Sequence, residues 1–187
     1  ASNGFQARTI GDVGAYRGDW ARMAHAIWPD AAIVMIEPNR EQTRRLNALA
    51  AELHGTLYCE LLGPVDGQEV AFHVMATGSS VLPERSDVPR RMEIRNLATL
   101  DTLLADYLRV DLLKIDAQGY ELSILDGAAK VLPKVQVVLL EAALLEVNEG
   151  SPLLHDVIQY MNNRGFVAYD VLAMHRRPLD RALCQID

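Results

Sequence analysis

The residues best placed to do chemistry are a glycine-containing turn and a set of carboxylates that each follow an apolar run. The turn is Asp12-Val13-Gly14-Ala15-Tyr16-Arg17-Gly18. Gly14 permits a tight bend and close approach of the backbone to a ligand, and Gly18 lets a following helix pack nearby. Glu37 and Pro38 close the run Ala32–Ile36. A carboxylate there can accept two hydrogen bonds from a ribose diol. Asp116 closes Leu112–Ile115, and Glu141 closes Val135–Leu140. Two carboxylates at adjacent strand ends can hold a divalent cation through oxygen, or one can take a proton from a hydroxyl. In the alternative, Asp116 only binds a ligand's amino group and Glu141 bonds to backbone. Glu121 begins a helix after the Asp116-Ala117-Gln118-Gly119 turn, where it either joins the catalytic group or complements the helix dipole. Lys114, inside a strand, can pair with one of these acids.

Other reactive side chains are scattered. His25, His54, His73, His155 and His175 show no i, i+4 pairing of the kind that binds zinc. His73 and His175 are expected to border the site. Without paired histidines a metal site would be built of oxygen, which favours Mg²⁺ over Zn²⁺. Two carboxylates are few ligands, so a metal-free base is preferred. Cys59 and Cys184 lack metal-ligand or CxxC spacing and read as reduced structural thiols. Arg85, Arg90, Arg91 and Arg95 read as a solvated face or a hold for an acidic sugar. Ser79 and Ser80 fall in the longest loop expected, Thr77 to Pro89, and are candidates to line an acceptor pocket.

The elements that must position these residues alternate. Strands are expected at Thr9–Val13, Ala32–Ile36, Thr56–Leu62, Glu69–Met75, Met92–Asn96, Leu112–Ile115, Val135–Leu140, Val167–Leu172 and Ala182–Ile186. Trp20, Met23, Ala24 and Ile27 fall on one helix face, as do Leu46, Leu49 and Leu53, and Leu122, Leu125, Ala129 and Leu132. A short helix is expected near Leu100–Tyr107, and another runs from Ser151-Pro152 to Gly165. Strand–helix alternation at this spacing predicts one doubly wound α/β domain over residues 1–187, with residues 1–8 as a tail and an antiparallel element at one edge. Ligands then bind beyond the carboxyl ends of the strands, where the strand order reverses. Asp12, Glu37, Glu60, Asp116 and Glu141 all fall at such ends.

The chain has 187 residues, half of them hydrophobic, and a formal net charge of −7. Such a chain buries a core but repels a phosphate backbone, so neither nucleic acid nor an anionic membrane is expected as partner. No uncharged apolar run is long enough to span a bilayer, and the first residues carry no hydrophobic signal core, so a cytoplasmic location is expected.

Gly11, Gly14 and Gly18 do not have the spacing of a dinucleotide fingerprint, and Asp12 would repel a pyrophosphate. S-adenosylmethionine has no phosphate; it offers a ribose diol, a sulfonium and an ammonium. Glu37 suits its ribose. Gly14, Ala15, Tyr16 and Gly18 suit its methionine portion, Asp12 its ammonium or the turn itself, and Leu61 and Leu62 its adenine or the core. The segments Asp12–Gly18, Ile36–Pro38, Thr99–Leu104 and Asp111–Glu121, the last containing Lys114-Ile115-Asp116 to Gly119-x-Glu121, resemble the FkbM family of S-adenosylmethionine-dependent methyltransferases. The resemblance implies a Rossmann-like class I methyltransferase fold with seven strands, the last antiparallel, and helices on both faces. It also implies O-methylation of a sugar, glycan or polyketide-like acceptor. It departs at Tyr16, where an Asn-like residue is usual, and in the short segment before the first strand, which implies acceptor-binding elements that are missing or supplied by another chain. Competing readings are a nicotinamide-dependent oxidoreductase and a non-catalytic interaction module.

Overall fold

The computed structural model describes residues 4–75 and 78–187. In chain order its elements are β1 (Thr9–Val13), α1 (Asp19–Ile27), β2 (Ala32–Ile36), α2 (Thr43–Leu53), β3 (Thr56–Tyr58), β4 (Leu61–Leu62), β5 (Glu69–Val74) and β6 (Arg91–Ala98), then α3 (Leu100–Leu103), β7 (Leu112–Ile115), α4 (Glu121–Asp126), β8 (Val137–Leu140), β9 (Ala142–Ala143), α5 (Leu154–Asn162), β10 (Met174–Arg176) and β11 (Leu183–Ile186).

The central sheet has the order β3-β2-β1-β7-β8, and every pairing in it is parallel. Its strands are apolar on both faces because helices cover both. Ile33 and Met35 of β2 join Leu46, Leu49 and Leu53 of α2 in one cluster. Val34 and Ile36 join Leu125 of α4 and Val157 and Met161 of α5 in the other. The order reverses between β1 and β7, so the switch point lies at the ends of Val13 and Ile115.

Five strands, not seven, make this sheet. The last strand does run antiparallel, but within a separate sheet of order β10-β11-β9. A third sheet, β4-β6-β5, stands beside the site. The expected strand Thr56–Leu62 splits, because Cys59 and Glu60 turn the chain from β2 toward β6. Arg95 holds that split, donating to the Pro38 and Cys59 carbonyls (3.0 and 3.4 Å). Val167–Leu172 forms no strand. Its apolar composition favours extended backbone, but Val167 and Tyr169 lie largely exposed, and the segment is tied in at its end, where Leu172 N–H donates to Asp187 O (2.7 Å).

On α1 the buried residues are Ala21 and Ala24, while Met23 and Ile27 are about half exposed. The helix approaches closely at Gly18, where a Cβ would fall 2.1 Å from Leu49 Cδ2, so small side chains face inward. Among the described residues no helix is long and apolar enough to cross a membrane. Both cysteines are free thiols.

Candidate active site

A cleft of about 230 Å³ opens at the switch point. Gly14, Tyr16, Glu37, Pro38, Asn39, Glu60, Leu61, Leu62, Ser79, Ser80, Asp116 and Gln118 line it, with Phe72, Tyr120 and Ile124 on its apolar wall. Asp12, Ala15 and Gly18 lie outside the lining, and so do His73 and His175.

The glycine turn is held by the strands it connects. Gly14 N–H donates to Ile36 O (2.9 Å), and its φ is +72°. A Cβ on Gly14 would fall 1.9 Å from Asp116 O, so only glycine allows the turn to sit against β7. Tyr16 is also left-handed, at φ +46°, a region that side chains other than Gly, Asn and Asp adopt at a cost. The strain is met by Glu37, whose Oε2 accepts from Tyr16 N–H (2.7 Å) and whose Oε1 accepts from Asn39 N–H (2.8 Å). Burial pushes the Glu37 carboxyl above its usual range, against the pull of those two bonds. Glu37 therefore both shapes the turn and faces the cleft.

Asp12 and Lys114 are direct neighbours in the β1–β7 register. Lys114 Nζ lies 3.2 Å from Asp12 Oδ1 and 3.5 Å from Asp116 Oδ2, and donates to the Val13 and Gly14 carbonyls (3.2 and 2.9 Å). Asp12 is fully buried, and neither of its oxygens receives a well-directed hydrogen bond. Burial pushes Asp12 up and Lys114 opposes it. Lys114 is held charged because Asp12 and Asp116 outweigh its own burial. The pair steadies the turn from beneath the cleft.

The second turn repeats this construction. Gln118 has φ +53°, and Glu121 Oε1 accepts from Ala117 N–H (2.8 Å) and Gly119 N–H (3.1 Å). Burial raises Glu121 to about 7. Ser80 Oγ lies 3.0 Å from Gln118 O, to which it can donate, and accepts from Leu82 N–H (3.1 Å). Gln118 Nε2 donates to both Asp116 Oδ1 (2.9 Å) and Glu141 Oε2 (2.7 Å). The two strand-end carboxyls are thus joined through one amide. Burial first, then Asp116 and Glu121, raises Glu141 to about 9.

Asp116, Glu37 and the two serines come together in one cleft. Glu141 and Glu121 face a smaller neighbouring cavity, and Gln118 lines both. His73 joins through its backbone, paired with Ser80 (2.8 and 3.1 Å), and His175, on β10, pairs with Asp187. The loop expected at Thr77–Pro89 begins outside the described residues. From Gly78 onward it is tied down by Arg85 N–H to Val147 O (2.9 Å) and Glu149 N–H to Pro83 O (2.8 Å). Arg85 pairs with Glu146, and Arg91 with Glu93 and Glu41, so these cations are engaged with the chain's own acids. Among the described residues no three His, Cys, Asp or Glu gather to hold a metal. Gln118 was not expected at the centre of the site; its place between a strand-end acid and Gly119 was the available signal.

Residues 12–168 match the methyltransferase FkbM domain. The chain belongs to the FkbM methyltransferase family. Among solved structures, the FkbM methyltransferase of Methylobacillus flagellatus KT superposes with a TM-score of 0.58 at 17% identity, over 96% of this chain and 43% of that one. The precorrin-6y C5,15-methyltransferase of Geobacter metallireducens GS-15 superposes with a TM-score of 0.53 at 13% identity, over 97% of this chain and 78% of that one. At these identities the likeness is one of fold. The chain spans less than half of the first of these structures. No curated protein matches the sequence.

Proposed function

We propose that this domain binds S-adenosylmethionine and methylates a hydroxyl of a sugar, glycan or polyketide-like acceptor. The observation that carries the reading is the charge of the cleft: Glu37, Glu60 and Asp116 line it, and among the described residues no lysine or arginine does. A dinucleotide's pyrophosphate would meet three carboxylates there. A ligand with a diol, a sulfonium and an ammonium meets complementary groups instead.

The residues fit that ligand. Glu37 is fixed by two backbone donors and keeps lone pairs for ribose hydroxyls. Leu61, Leu62, Phe72 and Ile124 offer an apolar wall for adenine. Gly14 lines the cleft and presents only backbone to the ligand. When bound, S-adenosylmethionine supplies an electrophilic methyl group. Asp116 is the cleft carboxylate placed to take the proton of an acceptor hydroxyl. Glu141, bonded to the same Gln118 amide, supports Asp116 through it rather than acting as a second base. Ser79 and Ser80 bring the covering loop to the acceptor side. The family membership and the fold support the methyltransferase reading.

Calorimetry tests it. S-adenosylhomocysteine should bind and NAD should not. Glu37→Ala should weaken the former by roughly 10–150-fold through lost charge-assisted hydrogen bonds. Tight NAD binding, or unchanged affinity in a folded Glu37→Ala variant, would overturn the assignment.

A further inference from the structure

Behind Gln118, between the start of α4 and the β9–β11 pair, lies a second cavity of about 50 Å³. Glu121 and Glu141 face it, and among the described residues no lysine, arginine or histidine lines it. Ser151 also lines it. That residue is only 8% exposed, and its hydroxyl has no hydrogen-bond partner among the described residues. Buried hydroxyls are normally paired, so the partner of this one must come from whatever enters the cavity. Two carboxyls and a hydroxyl without a facing cation call for a small group with several N–H donors. An ammonium is such a group.

The cavity adjoins the cleft through a single amide. Gln118 Nε2 is bonded at once to Asp116 Oδ1 on the cleft side and Glu141 Oε2 on the cavity side. Donors at the two carboxyls therefore belong a few bonds apart. The volume is enough for a group the size of an aminomethyl group.

Resting on the methyl-transfer reading above, we propose that this cavity anchors a primary ammonium of the acceptor. The acceptor is then an amino alcohol or amino sugar whose amine sits against Glu141 and Ser151 while its hydroxyl faces Asp116. The ring or chain of such a molecule stays in the larger cleft.

Methylammonium is the probe, titrated into the full chain and followed by amide NMR. Saturable shifts confined to Gly119, Glu121, Ser151 and Gln185, with millimolar affinity as expected for two heavy atoms, support the proposal. Tetramethylammonium, which has no N–H donor, should leave these amides unmoved, as should ethylene glycol. Ser151→Ala should weaken methylammonium about fivefold or more. Ser151→Val, which fills the space, should abolish its binding while leaving S-adenosylhomocysteine binding intact. Ethylene glycol binding in place of methylammonium would overturn the ammonium assignment in favour of a neutral hydroxyl. Absence of saturable shifts from either probe would make the cavity a water pocket and would overturn the proposal. S-adenosylhomocysteine reports separately through Gly14 and Glu37, so failure of the methyl-donor reading is distinguishable from failure of the cavity's role.

Discussion

Glu37 and Glu121 do the same work at two places: each buried carboxylate ties down a turn containing a left-handed residue, Tyr16 or Gln118. Burial makes such carboxyls reluctant to ionise. Glu121 titrates at about 7 and Glu141 at about 9, against 4.5 for an ordinary glutamate. Between those limits the folded state holds more protons than the unfolded state, so stability falls as pH rises. It is fully present below about pH 4.5 and declines through about 7 and 9. Urea unfolding at about pH 5.5 and 8.5 should show a loss on the order of a few kcal/mol, and Glu141→Gln should flatten that slope. A second prediction concerns Lys114. Lys114→Met leaves Asp12 buried without its cation and should destabilise the fold by about 3–5 kcal/mol. Adding Asp12→Asn should recover much of the loss, as a double-mutant cycle in denaturant would show.

At the scale of elements, the site depends on clips that join one turn to another. Asp101, at the start of α3, accepts from Lys130 N–H and Val131 N–H (both 2.9 Å at Oδ1), which fixes the chain beyond α4. Thr99 caps the same helix, and Asp66 accepts from the Thr99 N–H (2.7 Å). Asp101→Ala should cost about 1.5–3 kcal/mol, toward the low end because the side chain is partly solvated, while Asp101→Asn keeps an acceptor oxygen and should cost much less. Thermal melts of the two variants check this. The Thr99–Leu104 segment that resembled the family is therefore a structural clip. Its legibility came from cap chemistry, which is local in sequence.

At the scale of the molecule, the cleft collects the ends of β1, β2 and β7 and a loop from the third sheet into one acidic site. If Asp116 is the base, Asp116→Asn should lower turnover about a hundredfold or more once an acceptor is in hand, with S-adenosylhomocysteine affinity largely kept. Single-turnover kinetics beside calorimetry separates the two effects. Equal activity with EDTA and with added Mg²⁺ is expected for a metal-free base; dependence on Mg²⁺ would assign Asp116 to a metal instead.

The sequence by itself determined the parallel core. Runs such as Ile33–Ile36 and Leu112–Ile115 are apolar on both faces, and such strands form only where helices cover both sides. It also located Glu37 and Asp116, because a strand's last residue lies at the sheet's carboxyl edge whatever the neighbours do. Tertiary structure decided what propensity could not. Val167–Leu172 has strand composition but forms no strand, its end being tied to Asp187 by Leu172 N–H (2.7 Å), and Thr56–Leu62 divides because β6 competes for its second half. It decided too that Asp116 and Glu141 meet through Gln118, and that Ser151 closes a cavity beside them. Those contacts join residues far apart in the chain, and only the packing of the elements around the switch point sets their distances.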